Sequence, residues 1–341
     1  MVTHTLNMTS FNPDIHRVGF ACKIQDTHDV CPAKFAVKTT TITWLNAQTP
    51  DRVVWRLWEL MRANILALRA QIEYVGSLPA NQRMFRLSGD LLPAYSHDKY
   101  MWFYFESDVL HFLESNLSEI GNLARSLDVR LSFHPGQFCV LASDSAEVVE
   151  RSITEFEYHC DIIRYMGYGR SFQDFKCNVH IGGKAGPDGI RRALRRLSRE
   201  ARNCLTIENA EYSWGLEHSI ELMFDCALVL DIHHHWIASG EYISAADDRV
   251  LAVTESWRGV RPVIHYSVSR ENVLVDHDAD TLPDLAALKN AGFTSTKLRA
   301  HSDYYWNSAV NAWAASFSAS ADIMCEAKQK NLAVKQFTKF I

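Results

Sequence analysis

The sequence predicts an α/β protein of the (β/α)8 (TIM) barrel class, formed as a single domain over residues 1–341. Two observations indicate this class. Short apolar runs typical of strands alternate with longer amphipathic stretches typical of helices, and such alternation produces a parallel sheet. The runs number eight, and eight β/α units that close on themselves form this barrel. An open doubly wound sheet is the alternative, although no G-x-G-x-x-G sequence follows the first strand.

The predicted strands recur along the whole chain. In order they are residues 17–22, 84–87, 129–133, 177–180, 205–208, 227–231, 262–265 and 321–325. In the third strand Val129, Leu131 and Phe133 alternate with polar residues, the period expected of a strand. The barrel core therefore extends from about residue 17 to about residue 328.

Amphipathic stretches between these runs predict the helices. They cover residues 50–75, 107–127, 146–166, 188–201, 216–224 and 245–257. The first opens at Pro50, and Leu57, Met61 and Ile65 then follow at helical spacing. A long loop precedes it, and residues 267–320 are expected to form an irregular insertion before the last strand.

The composition is that of an ordinary globular protein, with 47% hydrophobic and 22% charged residues. No apolar stretch approaches the roughly 18–20 residues of a membrane span, so no membrane partner is expected. Residues 1–14 show no basic and apolar pattern of a secretory signal, which favours a cytoplasmic protein. The eight cysteines include no C-x-x-C pair, and we expect reduced thiols.

The net charge of −5 argues against indiscriminate binding to nucleic acid. A single groove can still concentrate positive potential, particularly when metal cations lie in it. The densest basic run contains Arg191, Arg192, Arg195, Arg196, Arg199 and Arg202. Because this spacing distributes the arginines around a helix, a solvated helix face and a phosphate-binding surface are both open interpretations.

Ionisable side chains stand at the ends of six predicted strands. These residues are His134, His180, Glu208, Asp231, His265 and Glu326, and His301 lies in the loop before the last strand. The carboxyl ends of barrel strands meet at one rim, where active sites form. Imidazole and carboxylate ligands suit Mn²⁺, Zn²⁺ or Fe²⁺ better than Ca²⁺, and this set exceeds the needs of one tetrahedral zinc ion. The pattern predicts two or three ions, an arrangement suited to phosphodiester hydrolysis.

The same residues also have structural explanations. A single histidine at a strand end is often a hydrogen-bonded structural residue, whereas an unpaired buried carboxylate such as Glu208 is costly. His233, His234 and His235 cannot all be ligands. Strand alternation would place His233 on the same face as Asp231, but the strand can end before that point. Periodicity alone does not choose among the three histidines.

Seven segments in this order resemble the ultraviolet damage endonucleases. They are RVGFAC, FRLSGDLLP, LSFHPGQF, NVHIGG, IENAEY, LDIHHH and HSDYYW, and the resemblance covers residues 17–328. It implies a barrel enzyme related to endonuclease IV that cuts damaged double-stranded DNA immediately 5′ to cyclobutane dimers and 6-4 photoproducts, and also at abasic sites. It further implies a monomer without a nucleotide cofactor, holding up to three divalent ions. Manganese is favoured over zinc or magnesium.

Carried over by position, the resemblance assigns the metal ligands. They are His134, His180, Glu208, Asp231, His234, His265, His301 and Glu326. It selects His234 through the D-x-x-H spacing from Asp231. Catalysis would depend on Glu208 and Asp231, and on His97, which matches a family histidine near the site but could also be a surface residue.

The resemblance also assigns residues that contact DNA. Gln137 and Phe138 match the pair that enters the duplex at the lesion, where an aromatic ring can fill the gap left by extruded bases. Without the resemblance, Phe138 would be interpreted as a core residue. Lys184 would be either a phosphate contact or an exposed lysine.

One departure from the family pattern concerns the metals. Family members commonly have a lysine two residues before the histidine of the seventh strand, where it can be carboxylated and bridge ions. This chain has Val263 there. Valine cannot bind a metal, so a third ion is in question. The insertion at residues 267–320 also exceeds the compact members and could add contacts to DNA or to another subunit.

Two other functions are compatible with parts of the pattern. A sugar isomerase or epimerase on the same barrel would use a similar set of His, Glu and Asp, but would not need an exposed Gln-Phe pair. A protein that binds damaged DNA without cutting it is the second alternative, suggested by Val263. Metal-dependent incision of damaged DNA distinguishes the nuclease from both.

Overall fold

The computed structural model describes residues 11–341, and the first part of the segment inspected for a secretory signal lies outside them. Eight strands belong to a single sheet. Their bounds are β1 Val18–Ala21, β2 Met84–Arg86, β3 Arg130–Phe133, β4 Lys176–His180, β5 Leu205–Glu208, β6 Ala227–Val229, β7 Val263–Tyr266 and β8 Asp322–Cys325. Each predicted strand is present, with bounds shifted by at most two residues.

The sheet curves into a barrel. Its strand order is β6-β5-β4-β3-β2-β1-β8-β7, and every paired neighbour is parallel. The two end strands, β6 and β7, approach each other through a single parallel bridge between Asp231 and His265. The backbone N–H of His265 donates to the carbonyl oxygen of Leu230 at 2.9 Å. The predicted (β/α)8 barrel is therefore confirmed.

Helices alternate with the strands and cover the outside of the barrel. They are α1 Ile42–Asn46, α2 Pro50–Gly76, α3 Ser107–Ser126, α4 Ala146–Tyr165, α5 Gly186–Leu194, α6 Arg199–Cys204, α7 Leu216–Ile220, α8 Ile232–Ser239, α9 Asp248–Glu255, α10 Leu285–Asn290, α11 Ser295–Leu298, α12 Ser308–Ala315 and α13 Lys330–Phe337. The three long helices α2, α3 and α4 match their predicted ranges to within one residue. These helices were predicted accurately because each has a long apolar stripe that repeats with the period of a helix.

Several predicted elements were wrong. The single helix predicted over residues 188–201 is two helices, because the Ser198 hydroxyl caps a new helix by accepting from the N–H of Ala201. The helices predicted at 216–224 and 245–257 are shorter, and α1, α8 and α13 were missed, of which α1 lies in the stretch predicted to be a loop. The insertion at 267–320 is only partly irregular, since it contains α10, α11 and α12. Each of these begins at a capping side chain, namely Asp284, Thr294 or Asn307.

The strands present different side chains to their two faces. Phe20, Phe85 and Ile264 point outward into the main core under the helices. The alternate residues form a second apolar cluster inside the barrel, which includes Ala21, Met84, Ala227, Val229, Val263 and Met324. A Cβ on Gly19 would lie 2.6 Å from the Met84 carbonyl oxygen, so β1 and β2 approach closely only because this residue is glycine.

A buried charged network closes the opposite, N-terminal end of the barrel. The Asp322 carboxylate is fully buried and accepts from Arg130 Nη1 at 2.6 Å and from Arg261 Nε at 2.8 Å. It also accepts from the backbone N–H of Arg17 at 2.8 Å. This single side chain thus joins β8 to β3 and to the segments that lead into β1 and β7.

All eight cysteines are free thiols, and six of them are buried. Across residues 11–341, none of the helices has the length and apolar character that crossing a membrane requires.

The Asp322 network predicts a large loss of stability for Asp322→Asn. The change removes the negative charge that pairs with both arginines and leaves Arg130 buried beside Arg261, which should lower the free energy of unfolding by about 3–5 kcal/mol. Urea unfolding followed by tryptophan fluorescence measures this. Glu59→Gln is the control, since it removes a more exposed pair with Arg56 at 2.6 Å and should cost no more than about 1 kcal/mol. Equal losses in the two variants would contradict the role of Asp322.

Candidate metal centre

The side chains at the strand ends converge at the C-terminal rim. One group of potential ligand atoms comes from His134, His180 and Glu208, and a second comes from Glu208, Asp231 and His265. Within each group, the atoms lie within 4.8 Å of one another. Glu208 belongs to both groups, so its carboxylate would contribute a ligand to each of two ions.

Glu208 ends β5 and is completely buried. Its Oε2 lies 3.1 Å from His265 Nδ1 and 3.3 Å from His134 Nε2, and its Oε1 lies 3.5 Å from His234 Nδ1. Asn178, on the neighbouring strand, donates a hydrogen bond to Oε2 and is itself held by the Thr206 hydroxyl at 2.7 Å. The carboxylate is thus fixed in orientation and surrounded by imidazoles.

Asp231 caps helix α8, whereas the sequence predicted that it ends a strand. β6 ends at Val229, and the Asp231 carboxylate accepts from the backbone N–H of His234 at 2.8 Å. This capping contact places His234 on the same side as Asp231, with His234 Nδ1 at 3.7 Å from Asp231 Oδ2. The His233 ring instead stacks on Trp236, with ring centroids 5.7 Å apart. The D-x-x-H choice of His234 therefore has a local structural cause.

Three of the candidate histidines are oriented by backbone carbonyl groups. Nδ1 of His134 pairs with the carbonyl oxygen of Pro135 at 2.9 Å, and Nδ1 of His234 pairs with that of Asn209 at 3.2 Å. Nδ1 of His301 pairs with the carbonyl oxygen of Glu326 at 3.0 Å. In each ring the hydrogen bond leaves Nε2 free to bind a metal, the arrangement usual for protein metal ligands.

Glu326 completes the group on the β8 side. Its Oε1 lies 3.3 Å from His265 Nδ1 and forms an ion pair with Arg86 from β2, and its Oε2 lies 4.0 Å from His301 Nδ1. All eight ligands that the resemblance assigned therefore lie in one region of the rim. Their role as ligands remains a prediction.

The donor set fits divalent metal ions. Three of its buried atoms have no hydrogen-bond partner among residues 11–341, and these are Glu208 Oε1, Asp231 Oδ2 and His265 Nδ1. A buried polar atom without a partner costs free energy, and all three belong to one of the two ligand groups. Imidazole nitrogen and carboxylate oxygen are suitable donors for Mn²⁺ or Zn²⁺. Ions bound there would satisfy these atoms.

Burial and mutual proximity shift the pKa values of these groups in opposite directions. Burial lowers the pKa of His180 and of His265 to about 4, so both rings are neutral and able to bind a metal at neutral pH. Burial raises the pKa of Asp231 to about 8. Burial would lower the pKa of His234, but the nearby Asp231 and Glu208 outweigh this and raise it to about 9. Asp231 and His234 thus hold protons that a metal must displace.

The predicted DNA-contacting residues lie on the same rim. Phe138 is 84% exposed, so it is not a core residue, and Gln137 beside it is also exposed. Gln137 lines a cavity of about 370 Å³ together with His180, His234, His301 and Glu326. The loop that carries both residues thus borders the candidate metal centre.

A second cavity lies on the other side of this loop. It measures about 670 Å³ and is lined by residues that include His97, Gln137, Phe138 and Arg151. His97 is half-buried, and its Nδ1 accepts from the backbone N–H of Lys99 at 3.2 Å. It belongs to neither ligand group. Lys184 is 85% exposed and pairs with Asp144 at 3.0 Å, also away from the ligand atoms. The functional roles of His97 and Lys184 remain predictions.

Several side chains of the site were missed from the sequence. Lys176 and Asn178 share a face of β4 with His180, but the predicted strand began at Cys177 and excluded the lysine. Period-two counting back from His180 would have found both. Arg86 ends β2, and Glu211 lies in the IENAEY segment at 3.9 Å from His234 Nε2. Neither follows a pattern that identifies it without the fold.

The fold and site define a barrel protein with a candidate polynuclear metal centre at the C-terminal rim. The model of the family described as UV-endonuclease UvdE matches residues 16–340, nearly the whole chain. The chain therefore belongs to this family.

The chain is also similar to named relatives in sequence and to solved structures in fold. The UV-damage endonuclease of Schizosaccharomyces pombe is 28% identical over 93% of this chain, which spans about half (49%) of that longer protein. The UV DNA damage endonuclease of Bacillus velezensis is 24% identical over 78% of this chain and 81% of its own length. The crystal structure of SacUVDE has a TM-score of 0.71 and 24% identity, covering 95% of this chain and 96% of that one. Endonuclease IV from Thermus thermophilus shares the fold at a TM-score of 0.52, with 13% identity over 80% of this chain and 93% of its own.

The pKa values of Asp231 and His234 predict that metal binding strengthens as the pH rises. Burial raises the pKa of Asp231, and the neighbouring carboxylates raise the pKa of His234, so near neutral pH this pair retains protons that a bound ion must displace. Manganese affinity should increase from pH 6 to pH 9, with proton release at pH 7. Calorimetry in two buffers of different ionisation enthalpy measures the protons released. An affinity that does not change with pH would contradict the assignment of this pair.

Proposed function

We propose that this protein is a metal-dependent endonuclease that cuts DNA at ultraviolet lesions. The observation that supports this best is that two ligand groups share Glu208, and that His180 of one group lines the same cavity as the exposed Gln137. Relatives in the same family are named UV-damage endonuclease and UV DNA damage endonuclease. A metal centre next to an exposed aromatic side chain suits cutting of the backbone at a distorted site in a duplex.

The residues of the centre have distinct roles in this proposal. His134, His180 and Glu208 would hold one ion, while Glu208, Asp231 and His265 would hold another. His234, His301 and Glu326 would complete the coordination, and a third ion is possible. When bound, the ions polarise the phosphodiester, lower the pKa of an attacking water and stabilise the leaving oxygen. No nucleophile from the protein is needed.

Other side chains would hold the substrate at the centre. Gln137 and Phe138 would occupy the gap left when the damaged bases leave the stack, because an aromatic ring stacks on any base. The 370 Å³ cavity beneath Gln137 leads to His180 and Glu326, so the phosphate next to that gap can reach the ligand groups. His97 would contact the substrate from the neighbouring cavity, and Lys184 would contact a phosphate.

The proposed reaction is hydrolysis of the phosphodiester immediately 5′ to a cyclobutane dimer or 6-4 photoproduct, leaving a 3′-hydroxyl and a 5′-phosphate. Abasic sites are a further proposed substrate. Manganese is the proposed metal, because a mixed set of imidazoles and carboxylates suits it. We infer that the protein acts as a monomer in the cytoplasm, on chromosomal DNA, and uses no nucleotide cofactor.

Incision of a labelled duplex that contains one cyclobutane dimer tests the proposal. The wild-type protein should make one cut immediately 5′ to the dimer with manganese and none with EDTA or on undamaged duplex. Binding to the lesion without a cut would support a binding protein instead. A protein that neither binds nor cuts the duplex would contradict the proposal, and sugar substrates of the same fold would then be tested.

We expect substitution of Glu208 to prevent the binding of both ions. Glu208→Gln keeps the size of the side chain but removes the charge that both ligand groups share, so metal content and incision should fall below detection. Metal analysis by mass spectrometry and the incision assay measure the two effects. The thermal melting temperature of the metal-free variant shows whether the protein still folds without the contacts of this carboxylate to His134, His234 and His265. A metal-replete and active Glu208→Gln protein would refute the assignment.

We expect substitution of Phe138 to weaken the binding of damaged DNA specifically. Phe138→Ala removes one stacking surface, worth about 1–3 kcal/mol per base, so affinity for the dimer duplex should fall roughly 5- to 150-fold. Phe138→Tyr should retain binding, because its ring still stacks. Phe224→Ala is a matched control, since Phe224 is also 84% exposed but lines neither rim cavity. Fluorescence anisotropy measures the affinities, and equal losses for Phe138→Ala and Phe224→Ala would be evidence against the role.

A further inference from the structure

An arginine lines the cavity at the rim of the barrel. Among residues 11–341, Arg299 is the one lysine or arginine in the wall of this cavity of about 370 Å³. Its side chain is 45% exposed. The wall also contains His180, His234 and Glu326, which belong to the candidate metal centre. A side chain that is positively charged at every accessible pH thus shares the cavity with the candidate ligands.

The guanidinium group of Arg299 is held from two sides. Glu211 accepts a hydrogen bond from Nη1. The guanidinium carbon lies over the Tyr212 ring, 5.2 Å from its centroid. An aromatic face and a carboxylate are both favourable partners for a planar cation. Together they fix the plane of the guanidinium group before any ligand arrives.

Most of the hydrogen-bond donors of this group remain unused. A guanidinium has five N–H groups. Within the described part of the chain, the Arg299 side chain donates only from Nη1, to Glu211. Nε and Nη2 therefore have no protein acceptor there, and they form the edge of the guanidinium whose two N–H groups are parallel. Such an edge matches two oxygens of one phosphate.

The ion pair with Glu211 also has a structural explanation. The Glu211 side chain is only 10% exposed, and a carboxylate with so little solvent needs a positive charge beside it. Arg299 also directly follows α11, where its backbone N–H donates to the Ser295 carbonyl oxygen at 2.9 Å. A purely structural role would use Nη1 and the backbone. It would not require the Nε and Nη2 edge.

We propose that Arg299 binds a phosphate of the damaged DNA strand through Nε and Nη2. Glu211 and Tyr212 orient the guanidinium, and the phosphate is held in the cavity that leads to the candidate ligands. This inference rests on the proposed function in one respect, which is that the cavity receives DNA. Because the contact is to the backbone, it positions the strand and contributes affinity without reading the lesion itself.

The salt dependence of DNA binding tests this contact. Arg299→Gln should weaken binding to a duplex with one cyclobutane dimer about 10-fold, as expected for a hydrogen bond to a charged group. The slope of log affinity against log salt concentration should become shallower by about 0.9, the value for one phosphate contact. Arg299→Lys keeps the charge without the paired N–H groups, so it should keep the slope and lose part of the affinity. Fluorescence anisotropy in EDTA measures both quantities.

Neutral phosphates test the same contact from the DNA side. Single methylphosphonates, placed one position at a time in the damaged strand around the dimer, each remove one negative charge. At one position the wild-type protein should lose about as much affinity as Arg299→Gln loses on unmodified DNA. Arg299→Gln should lose nothing further at that position, because each change removes the same interaction. Losses that add at every position would overturn the proposal.

Other roles of Arg299 give different results. If Arg299 only neutralises Glu211, Arg299→Gln lowers the melting temperature and leaves the salt slope unchanged. If Arg299 only supports the metal centre through Glu211, whose Oε2 lies 3.9 Å from His234 Nε2, the variant binds manganese more weakly and again keeps the slope. An unchanged slope therefore overturns the proposal in both cases.

Arg69→Gln is the matched control. Arg69 is 39% exposed and pairs with Glu119 at 2.6 Å, but it lines neither rim cavity, so its variant should keep the wild-type affinity and slope. A wild-type protein that does not bind the dimer duplex would refute the proposed function. A wild-type protein that binds it, with Arg299→Gln binding equally well, would refute only the role of Arg299.

Discussion

The structure depends on one constraint, the burial of the Glu208 carboxylate among imidazoles at the rim of the barrel. An ionised carboxylate without water is stable only with cations or hydrogen-bond donors around it. The pairing of β4 with β5 supplies a hydrogen-bond donor, because it places Asn178 opposite Thr206, and the Asn178 amide then donates to Glu208. The same pairing places His180 directly opposite Glu208. Metal ions would supply positive charge. The register of β4 and β5 that surrounds this carboxylate thus also positions the residues of the site.

The same region closes the barrel. β6 and β7 meet through one bridge, and its two residues are Asp231 and His265, both candidate ligands. An ion between them would join the two strands at the point where the sheet has the fewest backbone hydrogen bonds. The other end of the barrel is held by Asp322 and its arginines, with an apolar layer between the two charged regions. The buried ion pairs of Asp322 and the candidate metal ligands therefore lie at opposite ends of the barrel.

The strands and the candidate ligands at their ends were predicted well because each such ligand directly follows, or ends, the apolar run that forms its strand. Six of the eight runs end in an ionisable candidate ligand, and parallel strands bring these ends together. Helix α8 was missed because residues 232–237 are all buried, so the segment has no alternation between an apolar face and a polar face. Asp231 is its cap, but the assignment of Asp231 to a strand concealed this signal. Lys176 was missed for a different reason, because the predicted strand began one residue later, at Cys177. Counting in steps of two back from His180 places Lys176 on the inner face, but it does not show that Lys176 meets His265, which is 89 residues away in the sequence.

The insertion between β7 and β8 lengthens the chain beside the candidate metal centre without separating the ligands. Within it the chain returns to the site, where Ser269 and His301 form an antiparallel bridge and the N–H of Ser302 donates to the Val268 carbonyl at 2.9 Å. The chain between them, which contains α10 and α11, therefore leaves and returns at one place. Because the cost of closing a loop grows only slowly with its length, such a segment can lengthen without displacing His301. It also brings Arg299 to the cavity at the rim, where it pairs with Glu211 and stacks over Tyr212 at 5.2 Å. The insertion is thus joined to the barrel beside the candidate metal centre, through the bridge between Ser269 and His301. A change in the length of the segment between these two residues would change the surface around the site and leave the positions of the ligands unchanged.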